Sequence, residues 1–383
     1  MASRVVRSWR LRVYALILLP VAIALLGVLA LVRQHKIAVE PVVVAERFRT
    51  TAPHGESDSL AVWRDADSGT AWLFVTDKHG DRVQLFDAAT GEYLRDLGTS
   101  GAEPGQFLRP NGVAVWSRAD RPSLARTDLL LVVERNGARV QAFSLPDLQP
   151  MTAFGAGELE KPYGIAVAHG EDGLPVVFVT DNSKSPTNRI RRYDARIDIE
   201  RTGTPAANTV ASAPAVEAPG LQFACTRAFG DAGGPGLLRF VESIAHDPEH
   251  GRLYVADESP RSRNVKVYSD DGAFLGHTFG DGYIHFEPEG IALWRDGREG
   301  WIIVTDQQPE LSVFHVFDRR TLGHQGAFIG RPTVANTDGV ALVQGALGSL
   351  AGGAFFAVDN DAVVAAFAWD DIAAAVELKR TGH

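Results

Sequence analysis

The sequence predicts an all-β chain, a six-bladed β-propeller preceded by an N-terminal hydrophobic signal or anchor helix. Three observations lead there. Two short apolar phrases recur six times at blade-like spacing, Gly and Pro are frequent enough to supply many turns, and a single long uncharged stretch sits close to the N-terminus.

The N-terminal element comes first. Arg4, Arg7, Arg10 and Arg12 precede 20 residues, Val13 to Val32, that carry no charge and are mostly Leu, Ala, Val and Ile; Arg33, His35 and Lys36 follow. A basic segment leading into an apolar one is the pattern of a targeting sequence, and the apolar part is long enough to span a bilayer. Gly27 to Leu31 offers only a weak small-residue cleavage site. Residues 1–40 therefore read as an uncleaved signal anchor, with a cleaved signal peptide as the alternative. Either places residues 41–383 outside the cytoplasmic membrane, periplasmic or secreted, touching the membrane through residues 13–32 only.

The blades come next. The first phrase is a small residue opening a short apolar strand, as in Ser59-Leu60-Ala61-Val62-Trp63, Gly112-Val113-Ala114-Val115-Trp116 and Gly290-Ile291-Ala292-Leu293-Trp294. The second is an apolar strand ending in an acid, as in Phe74-Val75-Thr76-Asp77, Phe178-Val179-Thr180-Asp181 and Ile303-Val304-Thr305-Asp306. Third and fourth strands follow, as in Val265-Lys266-Val267-Tyr268 and Ala273-Phe274-Leu275. Residues 58, 111, 163, 242, 289 and 338 precede the small residues, giving spacings of 53, 52, 79, 47 and 49. The long interval contains residues 201–222, rich in Ala, Thr and Pro, which read as a surface excursion. Four short strands per repeat, punctuated by turns such as Asp270-Asp271-Gly272, are the pattern of a propeller blade.

Composition narrows the function. With 38 Lys+Arg against 47 Asp+Glu the net charge is −9, a poor balance for gripping nucleic acid through its phosphates. A lone Cys225 excludes an intramolecular disulfide and any Cys-built metal centre, so a metal would rest on oxygen or imidazole ligands. The residues opening the six repeats, Asp58, Asn111, Tyr163, Glu242, Glu289 and Asp338, fall at equivalent places near the channel, and four are carboxylates. Carboxylates from separate blades converging on one mouth repel each other unless a cation joins them, and hard oxygen ligands select calcium or magnesium. The strand-end acids recur in every blade, which reads as turn closure for Asp77, Asp181, Asp306 and Asp359. Lys78, Arg135 and Lys184 lie just beyond strand ends of blades one to three, which suggests a cationic wall facing the acids. His79, His246 and His285 read as surface groups at turns.

These residues also carry a family resemblance. Asp58-Ser59-Leu60-Ala61-Val62-Trp63, Val75-Thr76-Asp77-Lys78, Phe240-Val241-Glu242-Ser243-Ile244-Ala245, Leu253 to Glu258, Phe286-Glu287-Pro288-Glu289-Gly290, Asn336-Thr337-Asp338-Gly339-Val340 and Ala368 to Ile372 appear in order across residues 58–372. Together they resemble the calcium-dependent β-propeller phytases. Glu103-Pro104-Gly105-Gln106-Phe107 with Arg109-Pro110-Asn111-Gly112 also resembles an NHL repeat, a motif found in propellers of many functions. The phytase resemblance implies a calcium-dependent phosphomonoesterase acting on a small phosphorylated substrate such as myo-inositol hexakisphosphate, as a monomer. It implies Ca2+ ligands at Asp58, Glu242, Asp257, Glu287, Glu289 and Asp338. It implies phosphate contacts at Lys78, Arg135, Tyr163 and Lys184, with Glu289, Glu242 and Lys78 catalytic. The chain departs from the family at Asp58-Ser59-Leu60, where one of two paired acids is missing, and at Asp257-Glu258-Ser259, shorter by an acid. Two alternatives stand beside this one: a propeller lactonase-type metallohydrolase with one divalent ion held by Glu, Asn and Asp, or a non-catalytic NHL-like binding module outside the membrane.

Overall fold

The computed structural model describes residues 36–51, 55–65, 68–118, 127–198 and 220–378. The proposed anchor, residues 13–32, lies outside them, as does most of the excursion at 201–222. No helix among the described residues is long and apolar enough to cross a membrane.

The described chain is an all-β propeller of six sheets with one short helix. Blade one is β3 (Ser57–Arg64), β4 (Ala71–Asp77), β5 (Arg82–Asp87) and β6 (Tyr93–Leu97) from axis to rim. Blade two is β7 (Pro110–Trp116), β8 (Asp128–Glu134), β9 (Arg139–Leu145) and β10 (Pro150–Phe154). Blade three is β11 (Pro162–His169), β12 (Pro175–Asp181), β13 (Ile190–Asp198) and β14 (Gly220–Phe229). Residues 220–222, read above as part of the excursion, instead begin this outer strand, pairing with Asp198, Ile197 and Arg196. Blade four is β15 (Val241–Asp247), β16 (Arg252–Asp257), β17 (Asn264–Ser269) and β18 (Phe274–Phe279).

Blades five and six depart from the simple repeat. Blade five is β19 (Glu287–Asp296), β20 (Glu299–Gln307), β21 (Val313–Asp318) and β22 (His324–Arg331), with β1 (Val42–Ala45) added parallel to β22 as a fifth strand. Blade six is β23 (Val340–Gln344), β24 (Gly353–Asp359) and β25 (Val363–Ala368), and its fourth strand is β2 (Phe48–Arg49). The sixth repeat therefore does not finish itself. After β25 the chain turns into helix α1 (Trp369–Ala375), and the N-terminal strand closes the ring. Arg49 fixes the closure through ion pairs to Glu46 at 2.6 Å and Asp359 at 2.5 Å.

Apolar side chains on both faces of each blade meet those of its neighbours. The buried core falls into six clusters, one per gap between blades; Trp63, Leu85, Leu130 and Phe143 fill the first gap, for example. In the gap between blades five and six, Trp369 of α1 stacks on Trp294 at 4.1 Å between centroids and is 3% exposed. Trp369→Ala is expected to cost about 3–5 kcal/mol, the scale of an aromatic deleted from a core; a denaturant titration checks this, and a loss under about 1 kcal/mol would show that α1 is not part of the core.

Candidate metal centre

The residues opening the repeats come together because the inner strands share one irregularity. In blades one to five the pairing of inner and second strands slips across that residue: between Ser57 and Leu60, Pro110 and Val113, Pro162 and Ile165, Val241 and Ile244, and Pro288 and Ile291. A bulge re-aims a side chain that regular pairing would send into a blade face. Here it turns Asp58, Asn111, Tyr163, Glu242 and Glu289 toward the axis. The small residue that follows has a separate cause. A Cβ on Gly164 would lie 1.9 Å from the Glu242 carbonyl oxygen, and one on Gly339 would lie 2.2 Å from that of Asp58. Neighbouring blades touch backbone to backbone there. Thr76 and Thr180 tie the same joints, their hydroxyls donating to the carbonyls of Asn111 at 2.7 Å and Glu242 at 2.8 Å. Below the mouth a cavity of about 110 Å³ runs between the inner strands.

The strand-end acids close turns, as their recurrence suggests. Asp181 accepts the backbone N–H groups of Glu160 and Lys161 at 3.1 and 2.7 Å, and Asp306 those of His285 and Phe286 at 3.1 and 2.8 Å. Asp257, expected among the calcium ligands, belongs with them. It accepts from Arg239 and Phe240 at 3.2 Å each and pairs with Lys266 at 2.8 Å, so its oxygens are already engaged. Asp181→Asn removes a charged acceptor, itself fully buried, of two part-buried N–H bonds. We expect it to lower unfolding stability by roughly 1–3 kcal/mol while leaving the response of melting temperature to calcium as in wild type; loss of that response would move Asp181 into the metal centre.

At the mouth the ring divides in two. On blades one, two, three and six the acids are paired with donors, though Asn111 Oδ1 is left without a hydrogen bond. Asp58, fully buried, accepts from Asn111 Nδ2 and Tyr163 Oη, both at 3.1 Å. Lys78 Nζ lies 3.2 Å from Asp58, 3.0 Å from Asp338 and 2.9 Å from Glu56. Burial opposes the lysine charge, but Asp58 and Asp338 outweigh it and hold the ammonium above the ordinary lysine range. Lys78 is thus the resident cation among acids, not part of an opposing wall. Gln307 also hydrogen-bonds Asp338.

On blades four and five the carboxylates of Glu258 and Glu289 crowd that of Glu242 instead, with Arg135 and Tyr163 as Glu242's counterweights. Glu242, Glu258 and Glu289 each place a carboxylate oxygen within 4.8 Å of the others, and all three residues are buried. Glu258 Oε1 is buried with no hydrogen-bond partner. Burial, reinforced by Asp58, raises Glu242 to about 7. Burial and the neighbouring Glu242 raise Glu258 to about 11. Burial and Glu258 raise Glu289 well above the carboxylate range. Arg135 Nη1 approaches Glu242 at 3.7 Å, and its guanidinium lies 5.1 Å from the centre of the Tyr163 ring.

Of the other residues named from sequence, Glu287 stands exposed on the rim. Lys184 is exposed beyond the strand end of blade three, its backbone N–H donating to Glu160 at 3.3 Å. His79 is exposed and pairs with Glu56. His246 is not a surface group: its side chain is 7% exposed, stacks on Phe178 and lies 3.2 Å from Asp270. It lines a larger cavity, about 580 Å³, together with His169, Glu249 and Arg295, at the opposite ends of the inner strands. Glu258 was not among the expected ligands. The signal for it lay in its place directly after Asp257, one residue past the end of β16: in extended chain neighbouring side chains point opposite ways, so when the first acid closes the turn the second turns away from it.

An acid-mouthed propeller is what fold and geometry define. No family model matches the sequence, and no curated protein matches it. Among solved structures, the β-propeller domain of Cps50 (Swd1) from Myceliophteria thermophila is 12% identical, with TM-score 0.49, covering 84% of this chain and 99% of that one. A functionally unknown protein from Desulfotomaculum acetoxidans is 13% identical, with TM-score 0.44, covering 75% and 72%. Neither assigns a family or an activity.

Proposed function

We propose that the chain is a calcium-dependent phosphomonoesterase of the phytase type. The observation that carries the reading is the set of three buried, mutually repelling carboxylates, Glu242, Glu258 and Glu289. Three such groups cannot all ionise in a site shielded from water unless a cation joins them. The donor set is all oxygen, and Glu258 offers a buried lone pair that nothing in the chain satisfies; both features fit a hard divalent ion. Glu242, Glu258 and Glu289 would hold it, with Glu287 and Asp338 on the near rim. When bound, calcium supplies Lewis-acid chemistry, polarising water and phosphoryl oxygens.

The chain's own groups do the rest. Arg135, half-sheltered beside Glu242, presents a planar cation suited to a phosphate dianion. Tyr163 holds Arg135 by its ring and Asp58 by its hydroxyl, which fixes where that cation points. Lys78 neutralises Asp58 and Asp338, lowering the repulsion an anionic substrate meets.

The test is phosphate release from myo-inositol hexakisphosphate by the full chain in detergent, with calcium and with a chelator. Activity should vanish on chelation and return with calcium. Equal turnover in both conditions would defeat the reading.

A further inference from the structure

The chain leads into the propeller beside the acid mouth. Ile37 N–H donates to the Gly282 carbonyl at 2.9 Å, and Lys36 Nζ lies 5.7 Å from the centre of the Phe286 ring. Phe286 is three residues before Glu289, and Phe240 is two before Glu242. Both rings stand out from the rim, 42% and 44% exposed. They are held there rather than loose. Phe286 N–H donates to Asp306 at 2.8 Å and Phe240 N–H to Asp257 at 3.2 Å, while the Phe240 carbonyl accepts the Glu258 N–H at 3.0 Å. The corresponding donors are Glu56 in blade one and Lys161 in blade three. Exposed aromatics at this turn thus occur on the two blades that supply the carboxylate cluster, beside the docked Lys36.

The uncharged run of residues 13–32 ends four residues before Lys36. Four residues of extended chain reach about 14 Å at most, against a headgroup layer roughly 5–7 Å thick on each side of the hydrocarbon. With residues 13–32 as the anchor, the rim bearing Phe286 has no room to face away from the bilayer. Aromatic rings at a water–lipid boundary bury their faces among headgroups and acyl ends.

We propose that the acid mouth is held face-on to the bilayer, with Phe240 and Phe286 in the interface, and that its substrates are phosphate monoesters displayed on lipids. This rests on the phosphomonoesterase reading above. In that arrangement water is added across the P–O ester bond, the phosphate leaves as the free anion into the aqueous side, and the alcohol stays in the membrane carrying the proton.

The test uses the full chain reconstituted in phosphatidylcholine vesicles with calcium. Phosphate release is compared between long-chain phosphatidic acid in the vesicles and dibutyryl phosphatidic acid in solution, which share one headgroup. The lipid form should turn over at least tenfold faster. Phe240→Ala with Phe286→Ala should remove most of that advantage and leave the soluble ester within twofold of wild type. Equal rates on the two esters, or a double variant that keeps the advantage, would overturn the proposal. A second measurement is independent of turnover. A spin label at Phe240→Cys, in a Cys225→Ser background, should be more accessible to oxygen than to a water-soluble nickel chelate. The reverse order would show the mouth facing away and overturn the proposal whatever the chemistry. Release from neither ester while myo-inositol hexakisphosphate is still hydrolysed would overturn the lipid substrate and leave the phosphomonoesterase reading standing; release from none of the three would defeat both, and the label would then decide the orientation alone.

Discussion

Glu289→Gln is expected to abolish calcium-dependent phosphate release and, without calcium, to stabilise the protein at alkaline pH. The two effects share one cause. Glu289 is buried, and burial together with Glu258 and Glu242 raises its pKa well above the carboxylate range. A carboxyl whose folded pKa lies above its unfolded value contributes stability that is present at low pH and lost as pH rises through the folded pKa. Gln keeps the shape and cannot ionise, so it removes that loss. It also removes a ligand charge, and turnover should fall by at least about a hundredfold, the scale of deleting one electrostatic group from a reacting site. Melting curves at alkaline pH in chelator and phosphate release in calcium read the two effects. A variant that turns over within twofold of wild type would take Glu289 out of the site.

The second large effect belongs to the unmodified chain. In chelator its melting temperature should fall as pH rises from about 4.5 to about 7, and calcium at or above pH 7 should restore it. The window follows from two groups. Glu242 is raised from 4.5 to about 7, so its contribution is complete below pH 4.5 and disappears above pH 7. Glu258 is raised to about 11, so the folded chain keeps that proton while the unfolded chain gives it up, and the fall continues above pH 7. At about 1.36 kcal/mol per pKa unit the Glu242 contribution is roughly 3 kcal/mol, which corresponds to a fall on the order of 5 °C or more. Calcium binds the ionised cluster and reverses the sign of the repulsion. A melting temperature indifferent to calcium at pH 9 would leave the three glutamates without a metal.

Much of this was legible in the sequence, and the limits have physical reasons. The repeated phrases located every inner strand, because neighbouring blades touch backbone to backbone there and leave room only for a small residue at the same place in each blade. The strand-end acids were legible as turn closers for the same reason. Asp257 and Glu258 were not separable. Both are acids at one strand end, and which one takes the backbone N–H groups depends on the register of β15 against β16. Lys78 read as a phosphate contact because its neighbours in sequence gave no sign that Asp338, 260 residues away, would meet it. The sixth blade misled in another way. Residues 48–49 carry no repeat phrase, so nothing local marked them as the missing strand.

That missing strand has a consequence for how the chain reaches its final form. Thr50 donates its N–H to the Val364 carbonyl at 2.9 Å, and Arg49 pairs with Asp359 across 310 residues. A ribosome adding about 5–20 residues per second delivers those partners some 15–60 s after the strand itself. Through that interval β2 lacks its sheet partner β25, although Thr51 beside it can already bond Gly91 of blade one, and the sixth blade stays open until β25 is made.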